Sequence, residues 1–315
     1  MPWNTLQSIF FIAGGLVLFL YGIKIMSDGL KLIAGDKMKS FLEKSTSNRF
    51  LALITGFLVT GVIQSSTAAT VMVVGFVNAG LLNLKQAIGV IMGANVGTTL
   101  TAQIISFKID NFIPIIMFVG LILFVFFKKQ NTKNIGMILL GFGMLFFGLS
   151  AMSGTLSTFA ENTRFQTILT TFQNPFLAIL AGFIFTAITQ SSTATIGIIV
   201  ALFVGGIDLN FHTAIYLVLG SYVGTCLTAM IAAIPANKES KRAALAHVMF
   251  NVVGCIVFGT AIVIFPEILI WLQNTWTDGA RQIAMFHTLF NIATVSLLLP
   301  FIKQLEFILK KIISD

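Results

Sequence analysis

The five residues Gln-Ser-Ser-Thr-Ala occur at 64–68 and again at 190–194, each time inside a long apolar run. Amide and hydroxyl groups are costly in hydrocarbon unless they find partners. A chain that carries the same polar cluster twice, in matched apolar settings, must interrupt two segments at equivalent places and satisfy both interruptions. The composition identifies the apolar medium as a bilayer. Of 315 residues, 57% are hydrophobic and 10% charged, with mean hydropathy +0.96, whereas a soluble domain carries about 25% charged residues. A net charge of +8 does not call for nucleic acid as a partner, because membrane proteins gather Lys and Arg in cytoplasmic loops. Cys226 and Cys255 both lie in apolar segments, so neither a disulfide framework nor a zinc site is indicated. The N-terminal MPWNTLQSIFF has no basic leader and reads as the start of a first span.

A span needs about 20 mostly apolar residues. Segments 7–27, 85–107, 111–127, 134–153, 212–234, 243–265 and 283–301 meet that need, giving about seven full spans. Two further apolar regions, about 50–82 and 175–207, are split by the polar cluster into arms of roughly 15 residues, or about 22 Å, short of a core of about 30 Å. Both read as re-entrant hairpins, with two short spanning helices as the plainer alternative. Threading these elements through a bilayer puts all but Lys108, Arg164 and Arg281 of the 19 Lys and Arg on one side. The positive-inside rule makes that side cytoplasmic, with the N-terminus outside and the C-terminus inside.

The repeat extends beyond five letters. Gly22, Met26, Ser27, Leu30, Gly56, Phe57 and Thr60 recur 126 positions on, and Gly93, Val96, Gly97 and Thr98 recur 127 positions on. The expected fold is an all-α integral membrane protein with two inverted-topology repeats, 1–132 and 133–266, followed by an extra span and short tail over 267–315. Inverted repeats whose broken helices meet near the midplane suit secondary transport.

At each break, Ser66-Thr67 and Ser192-Thr193 are suited to cap the second arm. The first N–H groups of that arm carry partial positive charge and can hold an anion without a basic side chain. No Lys or Arg is expected near either cluster, so co-bound cations would have to balance the anion. Hydroxyl, carbonyl and amide oxygens suit a hard cation such as Na⁺. The alternative, Ser and Thr as helix glue, accounts poorly for a duplicated cluster. A second repeated tract, G-A-N-V-G-T-T (93–99) against G-S-Y-V-G-T-C (220–226), pairs glycines as a broken transport helix requires, or as close helix packing requires. Asn95, Thr98, Thr99, Ser221 and Thr225 could add cation ligands. A third pair, A-H-V-M-F-N (246–251) and F-H-T-L-F-N (286–291), sets His and Asn at i, i+4. Interhelical hydrogen bonding suits the His residues, and Asn251 is a candidate for lining the site. Without carboxylates this is a poor metal site, so Na⁺ is the only metal expected and no transition-metal site. Lys24 and Asp28 read as an interfacial ion pair. No phosphate-cradling loop or catalytic triad is present, which argues against an ATP-driven pump or an enzyme, and no organic cofactor is expected.

The duplicated Q-S-S-T, each followed by G-x-x-V-G-T, resembles the sodium-dependent phosphate cotransporter family, the type II Na⁺/phosphate symporters and their bacterial relatives. The resemblance implies Na⁺-coupled movement of inorganic phosphate by alternating access in the cell (inner or cytoplasmic) membrane. It implies phosphate contacts from Gln64, Ser65, Ser66, Thr67, Gln190, Ser191, Ser192 and Thr193. Sodium contacts would come from Gln64, Ser65, Gln190 and Ser191, joined by the second-tract residues. Tyr222 stands where the family usually has Asn, so it is carried only as a site-lining candidate. Many bacterial relatives also carry a PhoU-like regulatory domain, so a separate PhoU-like protein is one partner to consider. Segments 28–49 and 154–174 occupy equivalent places and suit either the membrane surface or a homodimer contact. The rival readings are a passive phosphate channel or exporter, and a membrane regulator without transport.

Overall fold

The computed structural model describes residues 3–35, 48–107, 109–160 and 162–314. These form helices joined by short loops, with no strand among the described residues. The first half contains α1 (Trp3–Ala34), α2 (Arg49–Ile63), α3 (Ser66–Asn78), α4 (Leu84–Ile105) and α5 (Ile113–Phe126). The second contains α6 (Gln130–Ser157), α7 (Thr163–Thr171), α8 (Pro175–Thr189), α9 (Ser192–Val204), α10 (Phe211–Ala233) and α11 (Lys238–Ile264). Helices α12 (Glu267–Thr275), α13 (Gly279–Leu298) and α14 (Ile302–Ile312) follow. Helices α1, α4, α6, α10, α11 and α13, the last continued by α14, are long and apolar enough to cross a membrane. Large side chains such as Phe10, Phe118, Phe126, Ile188 and Val263 are exposed on the outside of this bundle, as lipid-facing positions require. The protein is an all-α, multi-pass integral membrane protein.

The 111–127 segment departs from the expected full span. Its α-helix has 14 residues, about 21 Å, because a 3₁₀ turn at Asp110–Phe112 takes up its start. Residues 36–47 of the 28–49 segment, and Lys108, lie outside the described residues. Of the other segment, α7 has no buried residue and meets α8 at 99°.

The chain uses the same local devices in both halves. Asn48 caps α2 and Asn174 caps α8, each side chain accepting from two first-turn N–H groups. Asn83 caps α4 with a reciprocal bond to Gln86, and Asn210 caps α10. Gly80 and Gly206, both at φ +71°, turn the chain after α3 and α9, a conformation that a side chain would oppose. Because Gly80 and Gly206 keep the 126-residue offset and Asn83 and Asn210 have the 127-residue one, the extra residue lies in this loop.

Glycine sets the helix contacts. A Cβ at Gly22 would fall on the backbone of Leu145 and Gly141, and one at Gly148 on the backbone of Phe19 and Gly15. Helices α1 and α6 are therefore antiparallel. Under the 126-residue offset Gly15 corresponds to Gly141 and Gly22 to Gly148, so the two contacts interchange, as in an isologous interface within one chain. Likewise a Cβ at Gly56 or Gly93 would fall on the Val90 or Leu53 carbonyl, joining α2 to α4. The equivalents Gly182 and Gly220 meet the Leu217 and Ile179 carbonyls, joining α8 to α10. The paired glycines of the second tract thus serve close packing. Helices α4 and α10 run unbroken for 22 and 23 residues, so of the two readings of this tract close packing holds and a broken helix does not.

The two halves interlock. Helix α3 packs on α10 and α11, where the Ser240 hydroxyl donates to the Val74 carbonyl at 3.1 Å. Helix α9 packs on α6 and α1, with Gly197 against the Phe19 ring. Gln103 of α4 donates to the Thr288 hydroxyl of α13 at 2.7 Å. Arg242, 1% exposed, donates through Nε to the Ile313 carbonyl at 2.9 Å and pairs with Glu239, tying the end of α14 to α11.

Candidate functional site

Each Q-S-S-T is the break between two helices, with the same left-handed turn and serine cap in both copies. Gln64 and Gln190 end α2 and α8 in the left-handed region, at φ 57° and 54°. They are the only non-glycine residues at positive φ among the described residues, and such backbone strain concentrates at functional sites. Ser65 and Ser191 then cap α3 and α9, their hydroxyls accepting from Ala68 N–H and Ala194 N–H, both at 3.2 Å. The caps are therefore Ser65 and Ser191, not Ser66-Thr67 and Ser192-Thr193, which already lie in the first helical turn.

The arms fold back on each other. Thr186 and Thr195, on either side of the second break, have their Oγ1 atoms 2.5 Å apart. In a continuous helix they would be separated by about 13 Å.

The two breaks meet. The Thr67 hydroxyl donates to the Gln190 carbonyl at 3.4 Å. A cavity of about 220 Å³ at this junction is lined by Gln64, Ser65, Ser66, Thr67, Ser191, Ser192 and Thr193. It also takes in Lys24, Ser27 and Lys31 of α1. Two lysines thus face the clusters, which corrects the reading that no basic residue lies near them. Asp28 pairs with Lys31 at 3.5 Å, so the expected Lys24–Asp28 pair is replaced and Lys24 carries its charge into the cavity. The equivalents of Lys24 and Lys31 in the second half are Ser150 and Ser157, which makes the basic lining one-sided.

The two glutamines differ. Gln64 is 6% exposed; its Oε1 accepts from the Thr101 hydroxyl at 2.5 Å and its amide donates to the Gly61 carbonyl. Gln190 is exposed. Ser27 donates to the Ile63 carbonyl at 2.6 Å and so holds the first break against α1.

The other candidates do not line this cavity. Asn95, Thr98 and Thr99 bond back to the carbonyls of Ile91, Ala94 and Val96 on their own helix. Ser221 and Thr225 do the same with Val218 and Ser221. A hydroxyl that donates backward still presents lone pairs outward. Tyr222 is buried between α10 and α13, where its hydroxyl accepts from Asn291 at 2.9 Å and its ring stacks on Phe290. Asn251 donates to the His247 carbonyl at 3.0 Å and to Cys226 Sγ at 3.3 Å. The ring nitrogens of His247 and His287 have no hydrogen-bond partner, so the expected interhelical bonds of these histidines are not made.

Sequence reasoning missed Lys24, Lys31, Ser27 and Thr101. The repeated Ser27–Ser153 match pointed to one of them. The lysines carried no local signal, because only the packing of α1 against the breaks brings them there.

The Na⁺/Pi-cotransporter family profile matches residues 18–154 and again 147–297. The uncharacterized protein YqeW of Bacillus subtilis is 36% identical over 90% of this chain and 92% of its own length. In Escherichia coli K12, a protein named "Putative inorganic phosphate export protein YjbB" is 28% identical over 95% of this chain, which spans 54% of that protein. The human "Sodium-dependent phosphate transport protein 2B" is 39% identical over 30% of this chain and 14% of its own length. No solved structure matches the chain. On the evidence of two successive matches that together cover most of its length, the chain belongs to the Na⁺/Pi-cotransporter family.

Proposed function

We propose that the protein is a secondary active transporter that carries inorganic phosphate coupled to Na⁺, by alternating access around the cavity between the two breaks. The observation that carries this reading is the Thr67–Gln190 contact over a cavity lined from both clusters. Two helix starts, α3 and α9, turn first-turn N–H groups toward one small space, where an oxyanion gains from both dipoles. Ser66, Thr67, Ser192 and Thr193 supply hydroxyl donors, and Lys24 adds a full positive charge. Oxygens of Gln64, Ser65, Gln190 and Ser191 are the proposed first ligands of Na⁺. Asn95, Thr98, Thr99, Ser221 and Thr225 are proposed as further Na⁺ ligands; the first three lie on α4, whose Thr101 donates to Gln64 of the first break, and the last two on α10. Inverted topology is supported by the interchanging antiparallel contacts of α1 and α6. Each break rides on a glycine-locked pair, α2 with α4 or α8 with α10. Relative motion of these pairs would open the cavity to one side and then the other. We place the protein in the cell membrane.

Labelled phosphate uptake into proteoliposomes, with and without an inward Na⁺ gradient, tests the coupling. Faster, concentrative uptake with the gradient is expected. Equal uptake in both conditions would sink the Na⁺ claim while leaving phosphate transport in place.

Export without sodium coupling is a second reading, favoured by the likeness to YjbB and by the lysine charge that lines one side of the cavity. Efflux from phosphate-loaded vesicles in Na⁺-free solution separates the two.

A further inference from the structure

A cavity of about 590 Å³, separate from the breaks, opens where α2, α4 and α14 begin. Arg49, Lys85 and Lys303 line it together with Asn48, Asn83 and Gln86. No acidic residue lines it among the described residues. Lysines and arginines at helix ends are expected on one side of any membrane protein, but that rule spreads them over loops. Here three converge on one concavity.

The geometry holds them there. Gly89 lets α4 pack directly on Ala52 of α2, so both helices start side by side with their positive ends together. Arg49 donates through Nη1 to the Pro300 carbonyl at 3.3 Å, which fixes the start of α14 beside it. Lys303 follows in the first turn of α14. Glu306, the acid of that helix, is held by Lys310 at 2.8 Å, which leaves Lys303 free to face an anion. The walls also include apolar Ala52, Pro300 and Ile302. Helix α14 exposes Phe307, Ile308 and Ile312 beside its basic residues. Exposed apolar and basic side chains on one short helix mark the boundary between headgroup and acyl chain.

We propose that this cavity binds the phosphate headgroup of an anionic membrane lipid. Arg49, Lys85 and Lys303 take the phosphate oxygens, and the acyl chains lie along the exposed apolar side chains of α14. Because Pro300 and Ile302 join α13 to α14, and Arg49 and Lys85 start α2 and α4, the bound lipid ties the first half to the C-terminal helices.

Thermal unfolding of the purified protein in neutral detergent tests this. The probes are short-chain phosphatidylglycerol, phosphatidylcholine of equal chain length, and inorganic phosphate. Phosphatidylglycerol is expected to raise the midpoint above phosphatidylcholine, in the wild type and in Gln64→Ala. Its half-saturating concentration should rise about 30-fold in Lys85→Gln/Lys303→Gln, the loss of two near-surface charges, and stay near wild type in Lys85→Arg/Lys303→Arg. Equal midpoints with the two lipids would overturn the proposal, as would an undiminished phosphatidylglycerol effect in the double Gln variant. If inorganic phosphate alone stabilises Gln64→Ala through these lysines, the ligand is free phosphate and the lipid assignment fails.

Discussion

Gln64 does three jobs at once. Its backbone closes α2 in the left-handed region, its amide satisfies Gly61, and its oxygen takes the Thr101 hydroxyl. Gln64→Ala keeps a strained backbone position and leaves the buried Thr101 hydroxyl without its partner, at a cost of about 1–3 kcal/mol. Phosphate flux measured in proteoliposomes is expected to fall below a tenth of wild type with protein still inserted. Near-normal flux would remove Gln64 from the site. Thr101→Val probes the same bond from the other side and should lower flux while sparing the cavity hydroxyls. Lys24 acts by charge. Lys24→Gln should raise the half-saturating phosphate concentration about tenfold, or about 1.4 kcal/mol, with the maximal rate little changed and the loss restored by Lys24→Arg. Lys31 is paired with Asp28, so Lys31→Gln should have a smaller effect in the same assay.

Glycine contacts dominate at the scale of the helices. Gly93→Ala places a methyl group on the Leu53 carbonyl, where backbone must move, whereas a Cβ at Gly75 of α3 meets nothing within 4 Å. The first substitution should cost about 1–3 kcal/mol and lower the thermal midpoint in detergent. Gly75→Ala should leave it unchanged or raised, since alanine favours a helix. Equal midpoints for the two would contradict the proposed packing of α2 on α4. The same positions show what was legible beforehand. Long apolar runs and the two Q-S-S-T breaks are legible in the sequence because they depend on local preference and burial; the asparagine caps of α2, α4, α8 and α10 are not among the expectations. The sequence leaves G-A-N-V-G-T-T as either a break or a packing surface, because glycine both weakens a helix in isolation and admits a close neighbour; its packing against α2 decides for the second. His247 and His287 read as bonding partners because polar groups in membranes usually find one, yet their ring nitrogens have none, and the His287 ring stacks on Tyr222 instead. Lys24 reads as half of an interfacial ion pair with Asp28 because its register on α1 says nothing about which element faces it.

For the whole molecule, the decisive property is that equivalent contacts interchange between halves while the cavity lining does not. The scaffold pairs Gly15 with Gly148 and Gly22 with Gly141, but Lys24 and Lys31 have serines, Ser150 and Ser157, as their equivalents, and Gln64 is buried where Gln190 is exposed. A symmetric scaffold around an asymmetric site suits a carrier whose two outward and inward conformations differ in affinity. The most direct measurement is equilibrium binding of labelled phosphate to the purified protein, with and without Na⁺, for wild type, Ser66→Ala and Ser192→Ala. One phosphate per chain, strengthened by Na⁺ and weakened at least tenfold by either substitution, is the expected result. Two independent phosphates per chain, or binding indifferent to one of the two serines, would contradict a single site shared by the two breaks.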